Sequence, residues 1–284
     1  MLTSEQIDDF HRTGFVHLRG FFDIDSEIVP ILSQLHRLIG MIAEDEGIRI
    51  DRKPFSIEGF DDGLFALLAK DRRLVGRLYD AAKQLPSFCR LTASEKHEKL
   101  YRCLRGESFP AVPAGGQGIR IDLPGEERYR APWHQDYPNQ LRSMDGLVFW
   151  APLRSVKPEM GPVELCVGSH RGGPLPVVMG DSANPDKTGA YGMLLHKEET
   201  VISGFDRIAP LSEVGDLLVF DYLLVHRSGS NVSSQVRWSM QMRFFNFAES
   251  TGRRIGWRGS FAAGVELASV HPDLVVQGPV RDDR

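Results

Sequence analysis

A histidine followed two positions later by an acid occurs three times, at His134/Asp136, His196/Glu198 and His271/Asp273. With 9 histidines and 38 acids in 284 residues, chance supplies about one such pair, so the motif alone decides nothing. Two imidazoles and one carboxylate on one face of a metal ion, with the opposite positions open, form the donor set of mononuclear iron oxygenases. Residues i and i+2 of an extended segment point the same way, so His134 and Asp136 can aim at one ion. The third ligand must then come from a distant strand. No histidine follows His271, and no strand pattern follows His196. His134/Asp136 has a better partner in His226, which ends the run GDLLVFDYLLVH, an apolar strand pattern opened by a Gly-Asp turn.

Eleven residues beyond His226 the clearest alternation in the chain begins. Arg237, Ser239, Gln241 and Arg243 fall on one face of a strand, and Val236, Trp238, Met240, Met242 and Phe244 on the other. A half-exposed strand would turn the polar face to water. A barrel with a buried site would instead bring a guanidinium and a hydroxyl inside, where the planar fork of arginine can grip a carboxylate.

The elements that must position these residues divide the chain in two. Thr3 can cap a first helix with Gln6 reciprocating, Gly14 can stop it, and the strand FVHL follows. Ser26 opens a second helix with Pro30 in its early turns, and helical spacing recurs over 61–85 and from Thr92 to Leu104. After PAVPAGG come short strand-like runs: GIRID, GLVFWAPL, VELCV, DLLVF and VRWSMQMRFFNF. The Gly/Pro-rich stretch 171–191 is long enough for a lid or for a merely solvated loop.

Composition narrows the classes. With 42% hydrophobic and 25% charged residues the chain reads as soluble and globular, and a net charge of −4 gives no field to attract nucleic acid or anionic membrane. No apolar stretch approaches the ~18 residues of a membrane span, and the opening MLTSEQIDDF carries acids where a secretory signal is basic and apolar. A cytoplasmic location is expected. Cys89, Cys103 and Cys166 are odd in number and form no CxxC pair, which argues against a disulfide framework and a thiolate zinc site.

The opening LTSEQIDDFHRTGFVHLRGFF, the central WHQD, GLVFWAPL, GPVELCVGSH and GDLLVFDYLLVHRSGSNVSSQVRWS, in this order, resemble the phytanoyl-CoA dioxygenase family of iron(II)/2-oxoglutarate-dependent oxygenases. The resemblance spans most of the chain short of 249–284. It implies that His134, Asp136 and His226 ligate Fe(II) and that Arg237 pairs with the distal carboxylate of 2-oxoglutarate. Ser239, Gln135 and Trp150 match positions near the cosubstrate, and Trp150 also reads as a core aromatic. The resemblance also implies O2 as the second cosubstrate, with release of succinate and carbon dioxide. Related halogenases replace the carboxylate with a small residue, so the presence of Asp136 favours hydroxylation or another oxidation over halogenation. His170, within GSH, falls in a turn of the family and reads as structural.

The substrate expected is a small molecule. Gln117, Arg120, Tyr137 and Arg243 are candidates to touch it, whereas most of the arginines around the metal motif, among them Arg128, Arg130 and Arg142, interleave with acids and read as a solvated rim. Two other readings stay open: a cupin-like zinc hydrolase using the same ligands, against which Arg237 and Ser239 stand, and a non-catalytic binding protein. The expected fold is mainly β with flanking helices, a double-stranded β-helix or jelly-roll barrel. Residues 1–284 form one catalytic domain: helical support to about 105, a barrel core over about 106–248, and an extension over 249–284.

Overall fold

The computed structural model describes residues 2–180, 192–260 and 266–276. Its strands are β1 (Phe15–Leu18), β2 (Pro110–Ala111), β3 (Gly118–Asp122), β4 (Gly146–Pro152), β5 (Val163–Cys166), β6 (Val177–Met179), β7 (Met193–Leu195), β8 (Arg207–Ile208), β9 (Leu217–Asp221), β10 (His226–Ser228), β11 (Arg237–Asn246) and β12 (Val275–Val276). The helices that support them are α1 (Ser4–Thr13), α2 (Val29–Asp45), α3 (Leu64–Lys70), α4 (Arg72–Ala82), α5 (Pro86–Thr92) and α6 (Glu95–Arg105), and a short α7 (Asp136–Gln140) follows β3.

The major sheet runs β1-β9-β4-β11-β2, with β3 also paired to β11. A smaller sheet, β10-β5-β8, closes the barrel, and β12-β6-β7 forms a third. The pairing is antiparallel throughout the first two sheets. This is the double-stranded β-helix that the family resemblance implies.

Both faces of the major sheet are buried, and the alternation of each strand decides what they meet. Ile119 and Ile121 of β3, Leu147, Phe149 and Ala151 of β4, Leu217 and Val219 of β9, and Trp238, Met240, Met242 and Phe244 of β11 pack outward into one cluster with Ile31, Leu35 and Ile39 of α2 and Leu78 of α4. Each fully buried Val, Leu, Ile, Phe or Met side chain among them contributes roughly 1.5–3 kcal/mol. The opposite face belongs to a second cluster inside the barrel, with Val148, Trp150, Leu218 and Phe220. The polar row of β11 shares that interior. Trp238 keeps its indole N–H satisfied in the outer layer by donating to Asp61 Oδ2 at 2.9 Å, which ties the segment before α3 to the barrel.

Helix α1 has the Thr3/Gln6 capping box and ends at Gly14 as its sequence predicts. A side chain at Gly14, whose φ is +86°, would collide with the His170 ring, so the turn requires glycine. The second helical segment starts earlier than Ser26: Asp23 accepts from Ser26 N and opens a wide turn over Ile24–Ile28 that leads into α2. The helical stretch over 61–85 is two helices, because Asp71 turns extended and caps α4 by accepting from Arg73 N. The segment from Thr92 holds the end of α5, and α6 begins at Glu95.

Candidate metal centre

His134 and His226 are backbone partners. The His134 N–H donates to His226 O at 2.9 Å and the His226 N–H to His134 O at 3.0 Å, an antiparallel bridge that sets both side chains on one face. Their ring centroids lie 4.1 Å apart. His134 Nδ1 stands 2.8 Å from Pro132 O and His226 Nδ1 2.9 Å from Leu224 O. A carbonyl accepts only from N–H, so both rings carry the proton on Nδ1 and turn an Nε2 lone pair to the interior.

Asp136 does not continue the extended segment. It is the first residue of α7, aimed at the histidines by the extended Gln135 before it and by its own N–H bond to Tyr222 O at 2.9 Å. Asp136 Oδ1 lies 3.3 Å from His134 Nε2 and 3.8 Å from His226 Nε2. Among the described residues, these three are the one group of His, Cys, Asp and Glu side chains placed to hold a metal ion, with ligand atoms all within 4.8 Å of one another. His170 lies elsewhere, with Nε2 3.1 Å from His11 O.

The electrostatics suit ligation. Burial pushes the His226 imidazole down to about 3, helped by the neighbouring His134, so the ring is neutral near pH 7. Burial would raise the Asp136 carboxyl, but its surroundings, the charge of the Arg243 guanidinium foremost, outweigh it and hold the group well below the usual carboxylate range. Arg243 Nε donates to Asp136 Oδ2 at 2.6 Å.

Arg237, at the other end of the inward row of β11, is 2% exposed. Asp122 Oδ2 receives its Nη2 at 2.9 Å and its Nε at 3.3 Å. Arg237 Nη1 and, two residues on, Ser239 Oγ are buried without any hydrogen-bond partner. A buried guanidinium N–H and hydroxyl left unpaired are costly, and they mark where an anionic oxygen fits. From sequence Asp122 reads only as one of the acids that interleave with the rim arginines, although its place two residues after Arg120 in GIRID sets both on the inward face.

The other sequence candidates have varied surroundings. Trp150 is buried on the inward face of β4, opposite Gln241 and Leu218. The Gln135 amide donates to Gly173 O and Leu223 O at 2.9 and 2.7 Å and accepts from Leu175 N at 2.7 Å, bonds that hold backbone. Gln117 forms a side-chain bridge to β11, accepting from Arg243 N and donating to Arg243 O. Arg120 binds Asp122 and Tyr129 O. Tyr137 is buried, its hydroxyl 2.7 Å from His271 Nε2 in the C-terminal segment. Of the stretch 171–191, residues 181–191 lie outside the described residues.

The family model of phytanoyl-CoA dioxygenase matches residues 10–239. The chain belongs to the phytanoyl-CoA dioxygenase family. No curated protein sequence matches it. Among solved structures, this chain is similar to the epimerase SnoN from nogalamycin biosynthesis, seen in complex with Fe3+, alpha ketoglutarate and nogalamycin RO: it is 18% identical to it, with a TM-score of 0.57 and coverage of 85% of this chain and 82% of that one. The carbocyclase SnoK from the same biosynthesis gives 17% identity, a TM-score of 0.55 and coverage of 86% and 84%. EctD from S. alaskensis, solved with 2-oxoglutarate and 5-hydroxyectoine, gives 18%, 0.55, and 87% and 77%. At these identities the likeness shows the jelly-roll fold that this phytanoyl-CoA dioxygenase family member shares with them. No helix among its described residues is long and apolar enough to cross a membrane.

Proposed function

We propose that this chain is an iron(II)- and 2-oxoglutarate-dependent dioxygenase that hydroxylates an unactivated C–H bond of a small-molecule metabolite, releasing succinate and carbon dioxide. The observation that carries this reading is the meeting of two donor sets on one interior: the half-buried His134 with the buried Asp136 and His226, and the partnerless Arg237 Nη1 and Ser239 Oγ. The donor chemistry fits. Two imidazoles and one ionised carboxylate match iron(II), and a buried cationic fork beside a free hydroxyl matches a carboxylate.

When bound, iron(II) and 2-oxoglutarate supply the oxidation that side chains cannot perform. His134 and His226 offer Nε2, Asp136 offers Oδ1, and Arg237 with Ser239 fixes the far end of the cosubstrate. The apolar interior around Trp150, Leu218 and Phe220 excludes water. The carboxylate at Asp136 favours hydroxylation over halogenation, and none of the remaining histidines is needed as a general acid or base.

Residues 1–284 act as one catalytic unit in this reading, because contacts cross its parts: Trp238 binds Asp61 of the helical support, and Tyr137 of the metal motif meets His271 of the extension. A cytoplasmic setting suits the three free cysteines. The net charge of −4 fits a small-molecule substrate and neither nucleic acid nor an anionic membrane as partner.

The test is succinate formation from 2-oxoglutarate with iron(II), O2 and a panel of metabolites. Succinate release that needs all three and rises with a metabolite supports the reading. Zinc-dependent hydrolysis of any panel member without succinate overturns it.

A further inference from the structure

Arg237 and Arg243 occupy the same inward face of β11, yet they end differently. Arg237 retains a buried nitrogen with no acceptor, whereas every nitrogen of Arg243 has one: Nε donates to Asp136 Oδ2 at 2.6 Å, Nη1 to Gly116 O at 2.5 Å and Nη2 to Gln241 Oε1 at 3.3 Å. Its backbone is held as well, with Arg243 N donating to Gln117 Oε1 at 2.7 Å and Arg243 O accepting from Gln117 Nε2 at 3.0 Å. Each of the three nitrogens of this guanidinium is thus tied to an acceptor of the protein itself.

Its effect falls on the carboxylate. The two oxygens of Asp136 face opposite ways: Oδ1 lies toward both histidine Nε2 atoms, and Oδ2 is taken by Arg243. A carboxylate free of such a partner can chelate a metal through both oxygens and so fill two coordination positions. Here the second oxygen reaches an ion only by breaking a buried, charge-assisted hydrogen bond. Resting on the metal-centre reading above, we infer that Arg243 is a positioning residue that limits Asp136 to a single metal-binding oxygen and thereby keeps a coordination position open for cosubstrate.

Cobalt(II) alone, added to the purified full chain, tests this through its visible d–d absorption and its dissociation constant, with no turnover required. Arg243→Met removes the donor and the charge. Arg243→Lys keeps the charge but places a methylene where Nε stands, so the donor facing Oδ2 is lost from that position. Both variants are predicted to shift the cobalt bands in position or intensity and to weaken binding about tenfold or more, the range seen when partners of metal ligands are removed. Circular dichroism of the metal-free proteins identifies the variants that fold, and the criterion applies to each of those. Bands superimposable on the unmodified protein's, with affinity within about twofold, overturn the inference and leave Arg243 a structural counter-charge. An unmodified protein that binds no cobalt overturns the metal-centre reading itself, and this inference with it. Should neither variant fold, the pair's role is in folding and the inference is overturned.

Discussion

Asp122 and Arg237 stand opposite each other in the β3–β11 register, and one carboxylate oxygen holds both Nη2, at 2.9 Å, and Nε, at 3.3 Å. Arg120 takes the other oxygen. Burial would raise the Asp122 carboxyl, but Arg120 and Arg237 together keep it ionised well below the usual range. The guanidinium of Arg237 is thus fixed in plane, with Nη1 as the donor that remains.

Asp122→Asn loosens that hold without touching the metal ligands. The expected result is a rise of roughly tenfold in the 2-oxoglutarate concentration needed for half-saturation, with iron(II) affinity within about twofold, since a charge-assisted bond is worth about 1.5–3 kcal/mol. Arg237→Ala is expected to weaken cosubstrate binding further and again more than iron binding. Isothermal titration of each ligand separates the two, and equal loss of both contradicts the role given to Arg237.

Gln135 stands between two proposed ligands, yet its amide binds Gly173, Leu223 and Leu175 backbone. Gln135→Leu leaves those groups unpaired and is expected to cost about 1–3 kcal/mol in denaturant unfolding. The concentration of 2-oxoglutarate for half-saturation should stay within about twofold. A large rise in that value with unchanged stability would place the amide on the cosubstrate instead.

His97 is fully buried among Phe21, Phe22, Phe149 and Phe244, with Nε2 unpartnered, and burial pushes its imidazole from 6.5 down to about 4. The unfolded chain therefore binds a proton between those two values that the folded chain does not. Stability from the neutral ring is complete above about pH 6.5 and is lost as pH falls toward 4, by about 3 kcal/mol at most. His97→Phe should remove that part of the acid sensitivity, read as the difference in unfolding free energy at pH 7 and pH 4.5 between variant and unmodified protein. Identical losses in both proteins would count against it.

Period-two alternation made β11 legible, because its two faces differ in chemistry as well as in apolarity. The HxD pair and the distant His226 were legible for the same reason, each being a residue type that chemistry selects. The local backbone was less so: Asp136 reaches the histidines from the start of α7, and Asp71 and Asp23 move helix boundaries by capping, a choice made by hydrogen bonds over three residues or fewer. The arginine–carboxylate partnerships across long separations were invisible. Arg243 is 107 residues from Asp136 and Arg237 115 from Asp122, and only the closed barrel brings those charges together. Arg243, read from sequence as a substrate contact, is one of these: nothing in its neighbours along the chain points to the acceptors that its three nitrogens find.

The most direct measurement of the central claim is an anaerobic titration of the purified chain with iron(II) and then 2-oxoglutarate, followed by visible absorption. The account predicts a metal-to-ligand charge-transfer band that saturates at one equivalent of each and is absent in Asp136→Ala. No band in the unmodified protein, with iron(II) shown to be bound, would contradict it.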